Sequence, residues 1–410
     1  MPSVAAPDIV FAGIGVASGL GYGKASLIDG LLAGRDVFSV LARPGRQAPD
    51  GSTAFIGVEM PEPPEASPEL LPKRVARTAG FGARVAIAVL DEAWREAGLD
   101  AVAPDRIGLV VGGSNLFSRE QLLMAQDYAG RLAFVPPRAG HVLLDTETCG
   151  LAASTFAIRG FAHTVGAASA SGSVAVIQAA EAIRSGRVDA CIALGALQDV
   201  SYLDLLGMRA MGAMGSARFA DQPGRACRPF DSDHDGFLYG EGCAALVLRR
   251  ADQGGLGYGS LIGAAHIADG QRGPEPDGDG QRRAILLALR QAGLDAADID
   301  TISAHATSTP KGDEVEAATL RALGLDHAWV TAAKSVLGHG LSAAGAIEIA
   351  ALLLQMRAGR LHATRNLDNP HEPALRHVRG QPQPHVVRHA LKLAFGFGGV
   401  DTALVIRGNA

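Results

Sequence analysis

The chain has 410 residues, 48% hydrophobic and 19% charged, so a large buried core is within reach and two or three domains are expected from length. Thirty-seven basic residues against 42 acidic ones leave a net charge of −5, which offers no basic field for nucleic acid or a membrane surface. Glycine, at 52 residues, is abundant without a strict period, which reads as many tight turns rather than collagen or disorder.

In chain order, the apolar run from Ile9 to Leu20 lacks a basic flank, contains glycines and is shorter than the ~20 residues a membrane span needs. It predicts a first buried strand and its turn rather than a signal peptide, with no transmembrane segment and a cytoplasmic location. The Pro- and Arg-rich stretch from Ala42 to Val75 and the Gly- and Met-rich stretch from Leu205 to Ala226 are expected to be surface or interface excursions. Elsewhere strand-like and helix-like runs alternate, as in Ile107 to Val111, Val174 to Arg184 and Ala190 to Leu194. This pattern predicts an α/β sheet covered on both faces, with functional residues on loops at strand ends. Cys149, Cys191, Cys227 and Cys243 form no CxxC pair and have no His at metal-ligand spacing, which predicts reduced thiols and neither a disulfide framework nor a metal site.

The chain repeats itself. Ala97-Gly-Leu-Asp100, followed by an apolar strand to Ser114, is echoed by Ala292-Gly-Leu-Asp295 and an apolar strand to Thr309. Ser169-Ala-Ser-Gly172, leading through Ile183-Arg-Ser-Gly-Arg187, is echoed at a constant offset by Ser342-Ala-Ala-Gly345 leading through Met356-Arg-Ala-Gly-Arg360. Gly242 to Leu248 and Val400 to Ile406 are both strand-like runs after glycine clusters. Two similar halves are expected, residues 1–255 with Ser169 and residues 256–410 with His305, Lys334 and His339.

Three constellations carry chemistry. The turn Gly166-Ala-Ala-Ser-Ala-Ser-Gly-Ser173 permits a sharp bend into a helix whose N-terminal N–H groups point at Ser169, an elbow that suits a nucleophile or an oxyanion. The same small residues also serve tight helix packing. Ser303-Ala-His305-Ala-Thr-Ser-Thr309-Pro-Lys-Gly-Asp313 reads as a strand end running into a polar loop with an imidazole beside two hydroxyls. Thr331-Ala-Ala-Lys334-Ser-Val-Leu-Gly-His339-Gly, then Ala343 to Glu348, sets Lys334, His339 and Glu348 in one loop–helix unit, where Lys334 and Glu348 are able to pair.

Together these segments resemble the β-ketoacyl-acyl-carrier-protein synthases, the thiolase-fold condensing enzymes, from about Ile9 to Ile406. Arg228-Pro-Phe-Asp-Ser-Asp-His-Asp-Gly236, Gly240-Glu-Gly242 and Phe395-Gly-Phe-Gly-Gly-Val-Asp401 add family landmarks in order. The resemblance implies duplicated αβαβα layers with two pseudo-symmetric halves. Condensing members carry a nucleophilic Cys at the elbow, and the matching position here is Ser169. A thiol near pKa ~8.5 is readily drawn to thiolate at a helix N-terminus, whereas a serine hydroxyl needs an adjacent base.

His305, His339 and Lys334 are retained, and in the family the His pair serves malonyl decarboxylation, a step that needs no thiol. The string Val165-Gly-Ala-Ala-Ser-Ala-Ser-Gly172 with Val111-Gly-Gly-Ser-Asn115 resembles the decarboxylating ketosynthase-like proteins of polyketide β-branching cassettes. That resemblance implies conversion of malonyl-ACP to acetyl-ACP for a partner of the HMG-CoA-synthase type. It also implies that Thr307 and Thr309 hold the phosphopantetheine arm that carries the substrate, with no other cofactor. Phe397 matches the gating aromatic of the glycine loop, in which Asp401 stands where many relatives have Asn. Lys73, Arg74 and Arg77 match the helix that docks an acidic acyl carrier protein, and a homodimer packed along an edge strand is expected. Two alternatives stand beside this one: a serine-type condensing enzyme or acyltransferase that acylates Ser169, and a non-catalytic partner subunit comparable to chain-length factors.

Overall fold

In β1 (Ile9–Ser18) the side chains of Ile9 and Phe11, then of Ile14 and Val16, enter one core cluster. The alternation changes phase because a bulge falls between Phe11 and Gly13. A Cβ on Gly13 would lie 2.6 Å from the Ala93 carbonyl, so the glycine lets helix α1 (Phe81–Ala97) lie directly on the strand. The computed structural model describes residues 8–255 and 257–409.

The first half continues through β2 (Ile107–Gly112), α2 (Thr146–Thr155), β3 (Phe161–Val165), α3 (Ser171–Arg184), β4 (Ala190–Gly195) and β5 (Gly242–Arg250). The second repeats the order with β6 (Ser260–Ala268), α4 (Gly278–Ala292), β7 (Thr301–Ser303), α5 (Pro310–Ala322), β8 (Trp329–Thr331), α6 (Ala344–Ala358), β9 (His389–Gly396) and β10 (Val400–Arg407). Even the bulge recurs, between Leu261 and Gly263, where a Cβ would meet the Ala288 carbonyl of α4 at 2.3 Å. The strands run β3-β2-β4-β5-β1 in one half and β8-β7-β9-β10-β6 in the other. In each half the first three named are parallel and the last two join antiparallel, and β1 meets β6 antiparallel at Ile9–Leu261 and Val10–Ser260.

Residue alternation sorts the layers. On β5, Ala244, Leu246 and Leu248 face the central core with α3 and α6, while Cys243, Ala245 and Val247 face the outer core under α1 and α2. On β10, Leu404 and Ile406 face the same central core, while Ala403 and Val405 face α4 and α5. The result is the α-β-α-β-α layering expected of a thiolase-like fold. Central position also explains α6, which is buried on almost every side and apolar apart from Glu348, Gln355 and Arg357: the helical stretch Leu341–Ala358 is long and apolar enough to cross a membrane, yet 83% of it is buried inside the fold.

Several expectations need correction. The two echoed strands end at Gly112 and Ser303, not at Ser114 and Thr309, because the polar loops that follow turn into the site. The expected division between 255 and 256 falls at Leu256, which lies outside the described residues. The excursion from Ala42 to Val75 is not purely superficial. Arg46 is fully buried between the carboxylates of Asp199 (2.8 Å) and Glu241 (2.5 Å), over the Tyr239 ring. Ile56–Val58 pairs with Ser39–Val40 and Tyr239–Gly240 in a small separate sheet. From the second excursion, Leu205, Ala213 and Met214 are buried against the same unit.

Candidate active site

The elbow is built where β3 turns into α3. Ala168 takes a positive φ of 44°, an uncommon conformation for a residue with a Cβ. The side chain of Ser171 holds it: its Oγ accepts the Ala167 N–H at 2.8 Å and donates to the Ala168 carbonyl at 2.7 Å. Ser169 therefore stands half-buried at the N-terminal end of α3. The second half repeats the device, with Leu341 at φ 49° ahead of Ser342 and α6. The two helices interlock through glycines: a Cβ on Gly172 would lie 2.6 Å from the Ala346 nitrogen, and one on Gly345 would lie 2.5 Å from the Ser173 Oγ.

The loops after β7 and β8 bring His305 and His339 to the same place. Their ring centroids are 5.7 Å apart and nearly perpendicular, and His339 Nε2 stands 2.9 Å from Ser169 Oγ. Phe237 packs edge-on against His339 and Phe395 against His305. Hydrogen bonding assigns the tautomers. The Leu341 N–H donates to His339 Nδ1 at 3.3 Å, and the Lys334 ammonium lies 3.4 Å from His305 Nδ1. Both Nδ1 atoms thus accept, and both Nε2 atoms carry hydrogen. Burial, then the Lys334 charge, pushes both imidazoles well below the ordinary His range, so they are neutral at pH 7.

Behind His305 lies a buried charge cluster. Lys334 donates to the His305 carbonyl and pairs with Glu348 at 2.5 Å, and the second oxygen of Glu348 pairs with Lys392 at 2.7 Å. Burial lowers the Lys392 ammonium from its usual value. Glu316, on α5, accepts the N–H groups of His305 and Ala306, each at 2.7 Å, which holds the loop where Ala306 has φ 37°. Burial pushes the Glu316 carboxyl up to about 7. Glu316 and Lys392 are absent from the sequence reading. The available signal for Lys392 was a cation inside the apolar run Ala390 to Ala394; nothing local marked Glu316.

A cavity of about 470 Å³ opens onto Ser169, His305 and His339. Thr307 and Thr309 line it, their hydroxyls 2.8 Å apart. Phe397 lines it from the tight turn between β9 and β10 and is 41% exposed. Asp401, next on that hairpin, is buried beside Asp269 and Asp277, and burial pushes its carboxyl up to about 7. Lys73, Arg74 and Arg77 are not brought to the cavity; they are exposed on and just after a four-residue helix ahead of α1. The cysteines are free and buried, and none lines the cavity. Among the described residues no group of three or more His, Cys, Asp or Glu is placed to hold a metal ion.

Two neutral imidazoles lining a partly enclosed space, each with hydrogen on Nε2, suit an oxygen on which negative charge develops. Ser169 receives an N–H from His339 rather than a lone pair, so nothing at that contact removes its proton.

The family models for the beta-ketoacyl synthase N-terminal and C-terminal domains match residues 6–254 and 258–368. The chain is 44% identical over 405 residues to the polyketide biosynthesis malonyl-ACP decarboxylase PksF of Bacillus subtilis, covering 98% of this chain and 96% of that one. It is 33% identical over 339 residues to a 3-oxoacyl-[acyl-carrier-protein] synthase 2 of Mycobacterium bovis, covering 80% and 81%. Among solved structures, a beta-ketoacyl synthase from Burkholderia phymatum superposes with a TM-score of 0.86 at 25% identity, covering 98% of this chain and all of that one.

Proposed function

Because the chain belongs to the β-ketoacyl synthase family, we propose that it is a malonyl-ACP decarboxylase that releases acetyl-ACP. The observation that carries this reading is the pair of neutral imidazoles, His305 and His339, which line one cavity with Ser169 and both carry hydrogen on Nε2, that of His339 lying against Ser169 Oγ. The bond between the malonyl methylene and its carboxylate breaks. Its electron pair becomes the carbon–carbon double bond of a thioester enolate, whose oxygen takes the negative charge and receives the two N–H donors. CO2 departs, and the methylene carbon takes a proton from water to give the acetyl group. One such donor is worth ~100–1,000-fold in rate.

Ser169 fits this chemistry better than condensation. Its oxygen accepts from His339, which leaves no base to deprotonate it. Lys334 and Glu348 act as positioning residues: the ammonium fixes His305 through ring and carbonyl, and the carboxylate holds the ammonium. A non-catalytic partner subunit would have no chemical need for this arrangement.

The phosphopantetheine arm of the carrier would be held by Thr307 and Thr309 and screened by Phe397 as the arm enters. Exposed Lys73, Arg74 and Arg77, none of which has an ion-pair partner among the described residues, form a surface suited to an acidic carrier protein. Acetyl-ACP made in the cytoplasm would feed an HMG-CoA-synthase-like enzyme of a polyketide β-branching step, as the polyketide relative suggests. A homodimer along β3 is supported by its position at the sheet edge and by the exposed apolar side chains of Leu132 and Phe134.

The test is to incubate the protein with malonyl-loaded carrier and follow the carrier's mass. Conversion to acetyl carrier without acylation of the protein, lost in His305→Ala, is expected. Unchanged malonyl carrier would overturn the reading.

A further inference from the structure

We infer that Gln198 is a specificity-determining residue that receives the carboxylate of the malonyl group, an inference that rests on the decarboxylase reading above. Gln198 follows β4 and lines the cavity with Ser169 and His339. Both of its oxygens are committed. The side-chain oxygen accepts the Ser342 hydroxyl at 2.7 Å, and the backbone carbonyl accepts the Tyr239 hydroxyl at 2.7 Å and the Val200 N–H at 3.1 Å. Its amide nitrogen has no partner among the described residues and is not a buried orphan, so its N–H groups open to cavity space.

The surroundings define what it would take. Met208, Ala213, Phe237 and Leu341 make the adjoining wall apolar. The one cation lining the cavity, among the described residues, is Lys311, an exposed side chain paired with Glu275. Lys334 and Lys392 are turned away and paired with Glu348. With the thioester oxygen at the two imidazoles and the arm on the Thr307 side, the carboxylate falls to the opposite half of the chain, where Ser342 orients the Gln198 amide, whereas Asn115, the other amide lining the cavity there, is exposed with no side-chain partner among the described residues to orient it. A neutral amide in apolar surroundings orients that group without the strong ground-state stabilisation a cation would give. Such stabilisation would deepen the bound state and oppose CO2 loss. The amide is in turn held by Ser342, the counterpart of Ser169 in the second half.

The experiment measures binding of two carriers to the full-length protein by titration calorimetry: one loaded with an acetyl group, the other with a sulfoacetyl group, whose sulfonate mimics the carboxylate but cannot leave as CO2. Gln198→Glu keeps an acceptor for Ser342 but sets a negative charge against the anion. It should weaken the sulfoacetyl carrier by about tenfold or more while moving the acetyl carrier less than about twofold. Gln198→Met, neutral and of similar size, should weaken the sulfoacetyl carrier about threefold with the same selectivity, and it decides the matter if the Glu variant does not fold. Equal losses on both carriers, or no loss on either, would overturn the inference. The readout needs no turnover, so a wild-type protein that leaves malonyl carrier intact refutes the decarboxylase reading separately.

Discussion

The two elbows share a backbone and differ in what they face. Ala168 and Leu341 have the same unusual φ, each precedes a serine, and each opens a central helix. Yet Ser169 looks into the cavity and meets His339, whereas Ser342 is fully buried and donates to Gln198. The strand-end loops diverge more. After β2 and β3 the chain places small residues, and after β7 and β8 it places His305, Lys334 and His339. Duplication supplied one scaffold twice. Chemistry followed from which copy's loops carry titratable side chains and which copy's elbow stays open.

The largest effect should come from the second half alone. Glu348→Gln leaves Lys334 and Lys392 buried without their shared carboxylate, and thermal and urea unfolding should show a loss of ~3–5 kcal/mol. A loss below ~1 kcal/mol would mean the cluster is not the support of that half.

His305→Ala and His339→Ala should each lower turnover of malonyl carrier by ~100–1,000-fold with folding retained, measured by single-turnover mass analysis. A loss confined to KM would point to binding instead of charge stabilisation.

The helix crossing probes the symmetry itself. Gly172→Ala and Gly345→Ala each force a Cβ into an atom about as close, so each should cost ~1–3 kcal/mol, with similar values for the two. Markedly unequal losses in paired unfolding measurements would break the pseudo-symmetry of that contact.

Acid should destabilise the protein. His305 and His339 are held below their ordinary range, and burial lowers His362 and His377 to about 4. Between pH 6.5 and 4 the unfolded chain binds protons on these rings that the folded chain refuses. Stability therefore falls as pH drops through that window, by up to ~1.4 kcal/mol per pH unit for each ring. Glu316 and Asp401, each raised to about 7, work the other way between pH 7 and their ordinary values and together offset about two of the four rings. The urea midpoint should be lower at pH 5 than at pH 7; a higher midpoint at pH 5 would contradict the neutral-imidazole assignment.

The smallest effects should separate the two serines. Ser342→Ala should cost ~1 kcal/mol in unfolding measurements through the lost hydrogen bond to Gln198, and Ser169→Ala should leave stability within ~0.5 kcal/mol.

Much of this was legible from residue order. The offset repeat around Ser169 and Ser342 anticipated two matching helices because small residues are needed wherever helices cross at backbone distance, and Gly172 and Gly345 meet there. Ser169, His305, Lys334, His339 and Glu348 were legible because polar residues in small-residue or strand-end strings are uncommon. Arg46 was not, since its partners Asp199 and Glu241 lie far away in the chain and its own neighbourhood reads as a surface loop. Glu316 and Lys392 were hidden for the same reason.

Residue order by itself determined the strands and helices, the duplication and the chemical types at the site, because these depend on periodicity and on neighbours in the chain. The tertiary structure decided which nitrogen of each imidazole carries hydrogen, which serine is open, and that Gln198 faces the cavity. Those features depend on hydrogen bonds and burial between segments many residues apart, which only the packed layers bring within reach.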